Sequence, residues 1–171
     1  MRMPTIASTN TECSRIADQL RRAFAGEAWH GPSLRNLLSD VSHEQAHTRP
    51  IAAAHSIWEL TLHIGVWAKA ALASMRGVPM PAFVETMPPE QNWPLIREVD
   101  AAGWKAAVEN TLRAGNELAA AIEHFGDERL GERVPGRDYG FYNLFHGIVQ
   151  HSLYHAGQIA ILKKGQASRP S

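Results

Sequence analysis

His151 and His155 stand four residues apart in the segment HGIVQHSLYHAGQIAILKK. On an α-helix that is one turn, so both rings leave the same side and can converge on one point, the usual chelate spacing for two imidazoles. At about 100° per residue, Leu144, Ile148, His151, His155, Gln158, Ile159 and Leu162 fall within one arc of roughly 100°. No other broad apolar face is available to this segment, yet three of its seven members are polar. Their rings and amide need partners inside a core. Two readings stand: histidines hydrogen-bonded to core neighbours, or ligands of a metal ion.

A firm metal site needs more than two protein ligands, and a second segment supplies one. In HSIWELTLHIGVWAKA, His63 lies between Leu60 and Trp67 at the edge of an apolar helical face. His55 is a weaker ligand because it precedes that helix near its cap. His146 lies off the centre of its stripe, and His124 reads as a charge partner for a helix C-terminus. His30, His43 and His47 fall in an irregular connection, where an exposed imidazole is the default and a lid or substrate role the alternative. Trp29, Trp58, Trp67, Trp93 and Trp104 read as core and rim packing rather than a ligand cage, with Trp29 and His30 as pocket neighbours.

Four long helices are needed to position these rings. The first spans about Thr11 to Phe24, with Thr9 and Glu12 at capping-box spacing and Gly26 as its stop. Pro and Gly then break the chain into short turns around Leu34 to Leu38 and Ser42 to Ala46. The second long helix starts near Ser56, again with a box partner at Glu59, and runs to about Arg76. VPMPAFVETMPPEQNWP is too irregular for helix and reads as a long surface connection that returns the chain across the bundle. The third helix fits about Val99 to His124, closed by Gly126, and the fourth about Phe141 to Lys164, ending at Gly165. No strand pattern or repeat competes with this. The expected fold is an all-α antiparallel four-helix bundle with long irregular connections.

Composition narrows the function. A chain of 171 residues suits one domain over 1–171, large enough to bury its own core. Lys plus Arg and Asp plus Glu are 17 each, so no net field draws the chain to phosphate backbones or anionic membranes, and no nucleic acid or membrane partner is expected. Cys13 is the only cysteine, which excludes an intramolecular disulfide and a four-cysteine zinc module. The opening MRMPTIASTNTE has no apolar run after its basic residue, and no uncharged apolar stretch reaches the roughly 20 residues that span a bilayer. A cytoplasmic location is the expectation.

The same two segments, together with AWHGPSLRNLL and VPGRDYG, resemble the DinB family of DinB and YfiT-like metalloenzymes over nearly the whole chain. HSLYHAGQI is the most specific piece, because the family pattern has two histidines at this spacing followed by Gly-Gln. Matched position by position, the family's three metal ligands fall on His63, His151 and His155, the residues that helical geometry had singled out. The resemblance implies a four-helix bundle, frequently a homodimer, with zinc or nickel in the site. It also implies relatives that include thiol-dependent transferases and isomerases. The family name carries no evidence of DNA binding here.

Three neutral imidazoles leave a divalent transition ion its full charge and at least one open position. Such an ion lowers the pKa of a bound water or thiol toward neutrality. Three functional classes follow. The first is activation of a low-molecular-weight thiol for transfer to a small electrophile; the second is metal-assisted hydrolysis, with hydroxide as attacker. The third is a metal-binding module without turnover. Glu59, one turn before His63, is the first candidate base for hydrolysis, although its spacing also suits a capping box. Gln158 can fix a ring nitrogen or bond a ligand, and Tyr154 can donate a hydrogen bond to the site; helix packing and an aromatic rim are their bland alternatives.

Overall fold

The computed structural model describes residues 11–80 and 87–167, and the described chain is all-α. Its helices are α1 (Glu12–Ala25), α2 (Leu34–Leu38), α3 (His43–His47), α4 (Ile57–Ser74), α5 (Pro89–Asn92), α6 (Ala101–Glu123) and α7 (Phe141–Ala167), with a 3-10 turn at Asp127–Arg129. None is long and apolar enough to cross a membrane.

Side-chain caps explain where the long helices begin. The Thr11 hydroxyl accepts from the Ser14 amide at the start of α1. Thr11 is therefore the cap, not Thr9, which lies outside the described residues. Glu12 and Cys13 donate their free amides to the Asp127 carboxylate at 2.8 and 2.9 Å, an anion placed at the positive end of α1. Ser56 and Glu59 form the expected capping box on α4, and the Asp100 side chain caps α6 through the Gly103 amide. The first amides of α7 donate to carbonyls of the preceding turn, Phe141 to Glu132 and Tyr142 to Leu130.

Two boundaries differ from expectation. Helix α7 passes through Gly165 and ends at Ala167. Propensity lets a glycine stop a helix but does not compel it to. The Pro-rich connection, expected to be wholly irregular, contains the single turn α5. Proline is tolerated there because the first helical residues have no intrahelical use for an N–H.

Pairwise contacts put the four long helices in a ring, α1–α6–α4–α7. Directions follow from which residues meet. Arg21 pairs with Glu123 while Phe24 reaches Gly115, so α1 and α6 are antiparallel. Trp58 packs on Trp104 and the Thr111 hydroxyl donates to the Thr61 carbonyl, so α4 and α6 run parallel. His63 faces His151 and His155, and Trp67 faces His151, so α4 and α7 are antiparallel. The bundle is thus up-down-down-up, not antiparallel throughout. The cause is the long connection after α4, which carries the chain back before α6 begins.

The core between these helices is Ile16, Leu20, Phe24, Ile57, Ile64, Trp67, Leu118, Ile122, Phe145 and Ile159, with their neighbours. Helices α2 and α3 cover one end, tied down by the Trp104 indole donating to the Val41 carbonyl and by Lys163 bonding the Leu37 carbonyl. Trp29 does not join this packing. It is fully exposed and His30 beside it is exposed too, which removes both as pocket neighbours.

Candidate metal centre

Three of the apolar-face positions predicted to carry polar side chains meet inside the α4/α7 seam. His63 and His155 are buried, His151 is partly buried, and one ring nitrogen from each lies within 4.8 Å of the others. The Nε2 atoms of His63 and His151 are 3.0 Å apart. Two nitrogens bound at about 2.0–2.1 Å, at angles between square and tetrahedral, stand about 2.9–3.4 Å apart. One edge of a coordination polyhedron is therefore already in place.

The far side of two rings is fixed by hydrogen bonds. His63 donates through Nδ1 to the Asn92 carbonyl at 2.9 Å, and His155 donates through Nδ1 to the Gln158 side-chain oxygen at 2.6 Å. Both bonds select the tautomer whose Nε2 carries a lone pair, and both keep the ring from swinging. Asn92 also accepts the Trp67 indole N–H on its side-chain oxygen at 2.9 Å, which locks the α5 turn against α4. His151 differs. Its Nδ1 is buried without a hydrogen-bond partner, and neighbouring rings hold it in place, His155 at 4.5 Å and Trp67 at 5.9 Å between centroids.

All three imidazoles are held neutral. Burial lowers the pKa of His63 to about 4 and of His151 to about 3, and the neighbouring histidines push in the same direction. Burial also lowers the pKa of His155, against the opposing effect of its bond to Gln158. At neutral pH each ring therefore keeps one nitrogen unprotonated, as a cation requires. With His63 Nε2 an acceptor, it is His151 Nε2–H that donates across the 3.0 Å contact, a proton an arriving ion would displace to Nδ1.

The cavity over these rings is about 370 Å³ and is walled by His63, Trp67, Trp93, His151, Tyr154 and His155, with Asn92 at its edge. Trp93 stacks flat on His63 at 3.9 Å and on its other face against His55 at 3.4 Å. Sequence reasoning had placed Trp93 with general packing and had not singled out Asn92. Their only signal was an aromatic and an amide between prolines in PEQNWP, and nothing local ties that loop to His63. Cavity size does not mark the site. A groove of about 580 Å³ beside Arg21, Phe24 and Arg113 contains no convergent ligand group.

The remaining predicted residues separate. Gln158 orients His155. Tyr154 is exposed and sets its ring edge against His155 at 5.1 Å, at the mouth of the cavity. Glu59 is committed elsewhere: its carboxylate accepts from the Ser56 amide at 2.7 Å and pairs with Arg49. Burial acts to raise its pKa, but the Ser56 amide and the Arg49 guanidinium outweigh that and hold it below the ordinary value. The capping role fits this geometry. His55 stays outside the nitrogen cluster, and His146 lies 3.5 Å from Glu12 on the other side of α7. His124 donates to the Ala120 carbonyl at the end of α6.

An all-α ring of helices with three converging imidazoles in one seam defines the class of a helical-bundle protein with a group able to hold a metal ion. A sequence model of the DinB superfamily matches residues 28–159, which span α2 to most of α7 and include all three histidines. The chain belongs to the DinB superfamily. Among curated proteins and among solved structures nothing matches it.

Proposed function

We propose that this protein is a metal-dependent enzyme in which His63, His151 and His155 hold one divalent transition ion, zinc or nickel, and that it activates a low-molecular-weight thiol for transfer to a small electrophile. The observation that carries it is the convergence of three neutral ring nitrogens while the opposite nitrogens of His63 and His155 are spent on Asn92 and Gln158. Membership of the DinB superfamily supports it.

An ion held there supplies a Lewis acid that brings the pKa of a thiol at its open position toward neutrality. The residues do the rest. Asn92 and Gln158 keep the rings aimed, so little reorganisation accompanies binding. Trp67 and Trp93 give the cavity its apolar wall. Tyr154 at the mouth is placed to bond the incoming reactant.

The make-up of the cavity favours thiol activation over hydrolysis. No carboxylate is among its described walls, and Glu59 is held by the cap and Arg49. Hydrolysis calls on a base to move a proton from water, whereas a thiol already acidified needs none.

The test is metal analysis of untagged protein prepared without added metal, wild type beside His151→Ala, followed by thiol consumption with a panel of electrophiles. Wild type should carry close to one ion per chain and consume thiol, and the variant should do neither. Equal metal in both removes the site; full metal with no turnover of any thiol removes the reaction.

A further inference from the structure

Trp67 and His151 wall more than the imidazole cavity. They also bound a second chamber of about 230 Å³, whose other main surfaces are Met80, Leu144, Ile148 and Gly147. Trp67, Met80, Leu144 and Ile148 are all buried and form its floor, while the partly buried Gly147 and the exposed Asn143 lie at its open side. Tyr139 and Asn143 supply its polar rim, and among the described residues no Asp, Glu, Lys or Arg lines it.

Gly147 is the telling residue. It sits inside α7, where glycine destabilises a helix relative to alanine. At Gly65 and Gly115 an added Cβ would stand 2.7 Å from Thr111 Oγ1 and 2.2 Å from the Phe24 ring, so close packing requires glycine there. At Gly147 an added Cβ would meet nothing within 4 Å, as at the solvent-exposed Gly157 of the same helix, but Gly147 alone of the two lines the chamber. Packing does not explain this glycine. It lies one turn before His151, on the same side of the helix, and the missing side chain keeps open the space beside that ring.

We propose that this chamber takes the uncharged apolar body of the electrophilic substrate, a group the size of one aromatic ring or a short branched chain, while its reacting atom lies at the three imidazoles. The inference rests on the metal-site reading above. Size fits, since an apolar cavity of about 150 Å³ already takes up benzene. Charge decides which reactant goes there. Low-molecular-weight thiols of the cell carry carboxylate or ammonium groups, which an uncharged buried wall disfavours, so the chamber suits the electrophile.

Two measurements test this. In protein labelled with 13C at the methionine methyls, toluene should shift the Met80 signal with or without metal. Gly147→Leu should weaken that binding at least ten-fold and Gly147→Ala by less, with metal content unchanged in both. In the metal-loaded protein, benzyl mercaptan, which joins a ring to a sulfur, should bind at least ten-fold tighter than methanethiol, and Gly147→Leu should erase that advantage without altering methanethiol binding. A Met80 signal indifferent to toluene, or a benzyl preference that is absent or survives Gly147→Leu, overturns the proposal. Should Gly147→Leu not fold, Gly147→Ala decides in the same direction. Failure to take up metal would strike the metal-site reading instead, and the toluene measurement would still judge the chamber.

Discussion

The α1/α6 seam and the α4/α7 seam both join antiparallel helices, but they close in opposite ways. Along α1/α6 the inner contact is tight and apolar: Phe24 lies against Gly115 with no room for one more carbon, while the charges and the open groove of about 580 Å³ stay at the rim, with Arg21–Glu123 and Asp127 on the α1 amides. Along α4/α7 three imidazoles occupy places that packing would fill with leucine, and a cavity opens over them with another beside it. Close packing is kept where nothing else is asked of the helices. The polar, hollow seam weakens the fold locally in exchange for a preorganised site.

Acid should expose this difference most strongly. The unfolded chain protonates histidine near pH 6.5, whereas His63 and His151 in the fold resist protonation down to about 4 and about 3. Stability of the metal-free protein is therefore full above pH 7 and falls as pH drops below 6.5, by about 2 kcal/mol per histidine at pH 5. Urea unfolding at pH 7.5, 6 and 5 measures the loss, with His63→Phe expected to flatten the curve. The depressed carboxylates, Asp127 and Glu59 among them, lose their own contributions only at lower pH, so this window belongs to the imidazoles. A curve that stays level down to pH 5 would erase the contrast between the seams.

A smaller effect lies on the tight side. Gly115→Ala drives a methyl into Phe24 and should cost about 1–3 kcal/mol by overpacking, with metal uptake per folded chain unchanged. Thermal unfolding and metal analysis together check it. If the variant is as stable as wild type, the seam is looser than its geometry.

Thr111→Val tests the parallel contact between α4 and α6, where the hydroxyl donates to the Thr61 carbonyl at 2.9 Å. Loss of that buried bond should cost about 1 kcal/mol in urea unfolding and leave metal affinity unchanged. A change in metal affinity would mean that α4 is positioned from α6 as well as from α5.

Much of the fold was legible because its signals are local. Ser56 and Glu59 announce a capping box three residues apart, and Leu34–Leu38 stands between Pro and Ser where a short turn was expected. The i,i+4 spacing of His151 and His155, set on an otherwise apolar arc, pointed to a shared direction before any tertiary contact was known. Helix direction was less legible. Nothing in the periodicity of α4 and α6 says that they run parallel, because that depends on the path of the residues between them.

Residue order alone determined the helices, their caps and the faces they bury, since each rests on hydrogen bonds and apolar periodicity within a few turns. It also put His63 on the same kind of face as the other two histidines. Only the tertiary structure decided that the three rings meet and that the Asn92 carbonyl and Trp93 hold His63 from a distant loop. Those outcomes depend on groups 29 or more residues apart coming within hydrogen-bond range, which no local pattern encodes.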